Sequence, residues 1–218
     1  MTQAPAVSCL GTSAMLFEAP GETTLANQQR IWALSREAAA WPEVREAVPG
    51  VNNLLLSFTT APMCLDPLEA RLLGAWDEAV AMPLDGRVVE LPVVYGGDGG
   101  PHMADVVAHT GLSVEEIVSI HAAPVYPVYA LGSHPGYCYL GGMDPRIATP
   151  RRKVPVIRIP GGAVSIGGAQ TGVSASDGPS GWNTIGTTEM VFFDATRDPP
   201  ALLQPGDSIA FTVAGIQK

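Results

Sequence analysis

Residues 132–188 constrain this chain more than any other stretch. They run Gly132-Ser133-His134-Pro135-Gly136-Tyr137-Cys138-Tyr139-Leu140-Gly141-Gly142, then Asp144-Pro145-Arg146, Pro150-Arg151-Arg152, Pro160-Gly161-Gly162, Gly167-Gly168-Ala169-Gln170-Thr171-Gly172 and Gly178-Pro179-Ser180-Gly181-Trp182. Glycine and proline at this density break helices. The apolar runs between them, 154–159 and 163–166, are rich in β-branched residues, so the pattern predicts short strands joined by loops of fixed shape. A flexible linker would lack both those runs and the aromatic residues. From residue 124 onward the expectation is a closed barrel or sandwich, with strands at 125–131, 154–159, 163–166, 189–194 and 208–213 and its loops as the working surface.

The preceding part alternates two periodicities. A strand at 6–17, interrupted at 11–13, leads to a helix at 25–40 that Glu22-Thr23-Thr24 can cap and Pro42 ends. Strands at 44–48 and 53–59 flank the turn signal Pro49-Gly50. Asp66 as cap and Pro67 in the first turn open a second helix, with Leu68, Leu72, Leu73, Trp76 and Val80 on one face. A returning strand at 88–94 completes the order β-α-β-β-α-β, a ferredoxin-like α+β plan with two helices on one face of an antiparallel sheet. Trp32, Trp41 and Trp76 are read as core. The expected organisation is an α/β domain over 1–87 and an all-β barrel domain over 88–218, with two short helices at 103–122.

Those two helices follow Gly96-Gly97-Asp98-Gly99-Gly100, read as a hinge-like connector. Gly111 closes the first helix and the capping box Ser113-Val114-Glu115-Glu116 opens the second. A helix-turn-helix reading fails on charge: the second helix begins with two glutamates and carries no Lys or Arg. The whole chain agrees, since 12 basic against 21 acidic residues give a formal charge of -9, which repels a phosphate backbone. Nucleic acid is excluded as a partner. No apolar run approaches the roughly 20 residues of a membrane helix, so no membrane association is expected. Three separated cysteines, Cys9, Cys64 and Cys138, suit a reducing compartment, with the cytoplasm as default.

No G-x-S-x-G elbow, H-E-x-x-H, P-loop or G-x-G-x-x-G motif is present, and no metal site is expected. Gln170 and Thr171, set between glycines, can orient a ligand through amide and hydroxyl. Trp182 could cover such a pocket or close the barrel. His121, at a helix end ahead of a strand, is either an acid or base near the loops or a packing residue. Arg146, Arg151, Arg152 and Lys153 form the one basic gathering, able to meet a carboxylate or phosphate or to lie solvated in turns. Asp144 with Arg146 reads as a turn salt bridge. Pro135-Gly136 between His134 and Cys138 forbids a regular helix, so neither a metal pair nor a Cys-His dyad is assumed.

Taken together, His121-Ala-Ala-Pro-Val-Tyr126, Pro135-Gly-Tyr-Cys-Tyr-Leu-Gly-Gly142, Asp144-Pro-Arg-Ile-Ala-Thr-Pro-Arg151, Gln170-Thr-Gly172, Gly181-Trp182 with Ile185-Gly186, and Asp198-Pro-Pro-Ala-Leu-Leu-Gln-Pro-Gly-Asp207 resemble the family of 5-oxoprolinase B subunits, also known as allophanate hydrolase subunit 1, the Kip inhibitor, or carboxyltransferase subdomains C and D. The resemblance covers nearly the whole chain and is dense from Tyr95. It implies an N-terminal α/β domain before a cyclophilin-like barrel. It also implies a polypeptide inactive alone, which joins a C subunit of the Kip antagonist type and an A subunit to open 5-oxo-L-proline to glutamate with ATP, the nucleotide and its Mg bound by the assembled complex. On that reading His121 is the candidate acid or base, and Gln170, Thr171, Arg146, Arg151, Tyr139 and Trp182 the candidate substrate contacts. The Kip name implies the alternative of a module that inhibits a sensor histidine kinase. The chain departs from the family pattern at Ser133, His134, Tyr137-Cys138, Ser174-Ala175 and Thr187, which leaves open another cyclic amide or a urea-derived acid as substrate.

Overall fold

The computed structural model describes residues 4–217. They divide into two compact units, one ending at Leu84 and the other beginning at Asp85.

In the first unit, strand β1 (Ala6–Leu10) turns through Gly11, at φ 63°, into β2 (Ala14–Glu18). The Gly-Thr-Ser interruption is thus a hairpin turn between two strands. Helix α1 (Leu25–Ala38) opens on Thr24, whose hydroxyl accepts the backbone N–H of Asn27. Strands β3 (Val44–Pro49) and β4 (Asn53–Phe58) form a second hairpin. Helix α2 (Asp66–Glu78) follows, with Leu65 at its cap position, so Asp66 lies inside the first turn, where its charge still favours the helix dipole. Val80 falls beyond the helix and is exposed.

The sheet order β1-β2-β4-β3 is antiparallel throughout and departs from the ferredoxin-like plan. The chain makes ββαββα here, and the segment expected to return to this sheet serves the barrel instead. Met15 and Phe17 on β2, and Leu54, Leu56 and Phe58 on β4, bury against Ile31, Leu34, Leu72 and Trp76 of the helices. At about 25 cal/mol per Å² of apolar area, a core of this kind is what holds such a small unit together.

The second unit opens with β5 (Val88–Gly96), followed by helices α3 (Met103–Thr110) and α4 (Val114–Ala122). Gly111 closes α3 in the left-handed conformation, and the Ser113–Glu116 capping box is formed. Strands β6 (Val125–Leu131), β7 (Cys138–Leu140), β8 (Val156–Ile159), β9 (Ala163–Gly167), β10 (Gln170–Val173), β11 (Gly178–Ser180), β12 (Asn183–Thr187) and β13 (Ser208–Gln217) complete it. Seven strands close a barrel in the order β10-β7-β6-β13-β5-β12-β9, with β5 and β13 parallel. Leu91, Val93 and Tyr95 alternate into the barrel core, which is why β5 belongs here.

Three sequence expectations change. Residues 189–194 form no strand and contribute only the isolated bridge between Phe193 and Ala201. The 154–159 strand starts at Val156 and pairs with β11 in a separate two-stranded sheet. The glycine run at 96–100 is a packed 3-10 turn at Gly97–Gly99 and no hinge: a Cβ on Gly100 would collide with the Ile185 carbonyl.

Candidate functional site

The pleat of β10 decides what its residues can do. Thr171 pairs with Leu140 on β7 and Ile166 on β9, whereas Gly172 pairs with Tyr139 and Ser165. Side chains alternate along a strand, so Thr171 and Val173 face the barrel core while Gln170 and Gly172 face outward. Gln170 and Thr171 therefore do not share one pocket: both lie on a strand and point to opposite faces.

Thr171 meets His121 inside the barrel. The His121 ring, in the last turn of α4, is fully buried, with Nδ1 2.8 Å from the Tyr95 hydroxyl and Nε2 2.8 Å from Thr171 Oγ1. Thr171 Oγ1 donates its one proton to the Ser165 carbonyl at 3.2 Å. It must then accept from His121 Nε2–H, leaving Nδ1 to accept from Tyr95. Burial drives the imidazole pKa down to about 3, so the ring is neutral at physiological pH. Tyr126 donates to the His121 carbonyl at 2.7 Å, and Phe211 lies 4.5 Å away between ring centroids. The histidine links α4 to β5 and β10 as a satisfied polar group in an apolar core.

A different set assembles on the outer face. Tyr137 and Tyr139 lie edge to face at 5.0 Å, Tyr137 meets Trp182 edge-on at 6.3 Å, and His134 lies 5.1 Å from Tyr137. The Arg151 guanidinium sits 5.5 Å from the Trp182 ring, within cation-π range. Two glycines make room for this shelf: a Cβ on Gly167 would enter the Trp182 indole, and one on Gly172 would lie 2.9 Å from the Tyr137 hydroxyl. Loop 132–137, which carries His134, holds Ser133 at φ 63°, and His134 Nε2 is buried without a hydrogen-bond partner. Trp182 is itself buried, so the shelf presents the half-buried Tyr137 and Tyr139 rings, one cation and the outward Gln170.

Of the residues singled out in the sequence, Tyr139, Trp182 and Arg151 come together, with Gln170 on the same face of the strand. His121 and Thr171 come together on the other. Arg146 joins neither, since Asp144 binds it at 2.6 Å in the turn at Pro145–Ile147 and is itself held below the usual carboxylate range by that hydrogen bonding. Sequence reasoning misses Tyr137 as a contact, although its period-2 spacing from Tyr139 carries the signal. Cys138 between them points inward, and burial pushes its thiol up to about 12, too high for a nucleophile at neutral pH.

The family whose model is described as carboxyltransferase domain, subdomain C and D, matches residues 5–203. The chain is 44% identical over 203 residues to the 5-oxoprolinase B subunit of Escherichia coli O157:H7, covering 93% of each chain. Among solved structures, the protein TTHA0988 aligns with a TM-score of 0.76 and 32% identity over 92% of this chain, which spans 39% of that longer one. The K. lactis urea amidolyase aligns with a TM-score of 0.80 and 18% identity over 97% of this chain and 15% of its own, a likeness of fold.

Proposed function

We propose, from the premise that this chain belongs to the carboxyltransferase subdomain C and D family and within it to the 5-oxoprolinase B-subunit proteins, that it is the B subunit of a 5-oxoprolinase. The 44% identity along 93% of both chains carries the reading. The reaction opens the lactam of 5-oxo-L-proline to L-glutamate. An amide of this kind is a poor electrophile, so the reading includes ATP: phosphoryl transfer to the lactam oxygen would activate the ring carbon, water would add there, the C–N bond would break with the amine leaving to give an acyl phosphate, and a second water would release phosphate and L-glutamate.

The chain's own cations do not suit a triphosphate. Arg71, Arg87, Arg146, Arg158 and Arg197 each engage a carboxylate of this chain, and the glycine-rich run 96–100 that precedes α3 lacks the Lys and Ser/Thr of a phosphate loop. Nucleotide and Mg therefore belong to the complex assembled with the C and A subunits. This chain contributes the shelf of Tyr137, Tyr139 and Trp182, with Arg151 and Gln170, to one wall of a composite site.

His121 has a positioning role here: neutral and enclosed, it holds β10 in register so that Gln170 faces outward. Reconstitution tests the reading. This chain, purified with partners of the C and A types, is expected to support ATP-dependent release of glutamate from 5-oxo-L-proline, and no partial mixture is. Absence of turnover by the full mixture overturns it.

A further inference from the structure

A cleft of about 430 Å³ lies apart from the aromatic shelf's rings, lined by Asp105 and His109 of α3, Thr149, Pro150, Arg152, Lys153 and Val154 of the loop leading into β8, and Asn183 of β12. Asp105 and His109 are one helical turn apart and so share a face of α3. The opposite wall is pinned at several points. Thr149 and Gly168 exchange backbone hydrogen bonds at 3.1 and 2.7 Å, Asn183 Nδ2 donates to the Pro150 carbonyl at 2.9 Å, and Arg152 N donates to the Gly181 carbonyl at 2.7 Å. An ion pair from Arg152 Nη1 to Asp105 Oδ2 joins the walls. This geometry exists before any ligand arrives, which lowers the ordering cost of binding.

The charges specify the ligand. With histidine counted as neutral, Asp105 offsets Arg152 and Lys153 remains as the one full positive charge in the cleft. A monoanion matches this balance, and a dianion would meet the Asp105 carboxylate as well. Arg152 Nε has no acceptor in the chain, so Asp105 leaves the guanidinium unsaturated. Asp105 gives only Oδ2 to the arginine, which leaves Oδ1 as an acceptor for an N–H beside the anion.

We infer that this cleft binds the carboxylate of a small monocarboxylic acid, with Lys153 and Arg152 on the carboxylate and Asp105 accepting a neighbouring N–H. The inference rests on the proposed function where it identifies that acid with 5-oxo-L-proline, whose lactam N–H and carboxylate are attached to the same carbon.

Calorimetry on the full chain tests it with three probes: 5-oxo-L-proline, 2-pyrrolidinone, which keeps the lactam and lacks the carboxylate, and inorganic phosphate. The expected result is saturable binding of 5-oxo-L-proline and none of the other two. Lys153→Gln, at an exposed position, is expected to weaken binding about tenfold, with an unchanged circular dichroism spectrum. Absence of 5-oxo-L-proline binding, equal binding of 2-pyrrolidinone, tighter binding of phosphate, or indifference to Lys153→Gln each overturns it. Turnover by the reconstituted complex with KM unmoved by Lys153→Gln removes this inference and leaves the proposed function standing. Carboxylate-dependent binding in a chain whose complex never turns over does the reverse.

Discussion

The Nε2 of His121 lies 2.8 Å from the hydroxyl oxygen of Thr171 in the barrel interior, and the proton between them belongs to the imidazole. The pair couples the end of α4 to the strand that turns Gln170 outward, and its energetics are open to measurement.

Acid should find this pair first. The folded pKa of His121 is depressed to about 3, whereas an unfolded chain has an ordinary imidazole near 6.5, so below that value the unfolded state binds the extra proton. Stability from this group is complete above about pH 6.5 and falls by roughly 1.4 kcal/mol for each pH unit below it, until the folded pKa is reached. Urea midpoints measured from pH 7 downward should drop at least this steeply, because His102 and His134, also lowered by burial, add in the same direction. In His121→Phe the slope should flatten, although its stability at pH 7 is lower because Tyr95 and Thr171 lose their partner.

Thr171→Val keeps the volume and removes the acceptor. It should cost about 1–3 kcal/mol, the penalty for a buried donor left unpaired. The double variant with His121→Phe should cost less than the sum of the two single changes, since the second substitution then strands no Nε2–H. Strict additivity in chemical denaturation would show that the contact does not couple the two residues.

Gly167→Ala probes the outer shelf. The added methyl enters the Trp182 indole, which cannot retreat as a flexible side-chain end would, so overpacking of about 1–3 kcal/mol is expected with displacement of the ring. Gly172→Ala meets the tip of Tyr137 at 2.9 Å, the Cys138 carbonyl at 3.1 Å and the edge of the Trp182 ring at 3.4 Å, all longer than the Gly167 contacts, and should cost less. Thermal midpoints order the two variants, and Trp182 fluorescence, isolated in a background lacking the other tryptophans, should shift in the first.

How much of this was legible in the sequence depends on how far each signal reaches along the chain. Several local ones agree with the structure: Thr24 caps α1, Ser113 and Glu116 close the capping box, and Gly111 ends α3 in the left-handed conformation, whereas Asp66 lies inside α2 and not at its cap. Signals that require distant partners did not. Strands β7, β10 and β11 have only three or four residues each among glycines, too short to show alternation, and exist because β6, β9 and β8 pair with them. For the same reason Thr171 and Gln170 read as neighbours in one loop, when register on β10 sends them to opposite faces. The assignment of β5 likewise turned on its parallel pairing with β13, about 120 residues away and invisible to any local window.

The cationic residues give a contrast. Arg146 is two-thirds exposed and already engaged by Asp144, so Arg146→Ala should leave both the thermal midpoint and turnover of the assembled complex unchanged. Arg151 packs over Trp182 with no carboxylate partner among the described residues, so Arg151→Ala should lower kcat/KM about tenfold or more if the shelf forms a wall of the composite site. Steady-state glutamate release measures both, and equal effects would remove the shelf from the site.

Thiol chemistry closes on Cys138. Cys9 and Cys64 are exposed, whereas Cys138 is buried and points its sulfur at the Gly136 carbonyl, 3.4 Å away. With its thiol pushed up to about 12 by burial, the thiolate is a minute fraction at neutral pH and alkylating reagents have no path to it. Native protein treated with iodoacetamide should be modified at Cys9 and Cys64 only, with Cys138 labelled after denaturation. Because Cys138 and Leu140 flank Tyr139 on the core side of β7, prompt labelling of Cys138 in native protein would mean that β7 opens, and with it the strand that holds Tyr139 on the shelf.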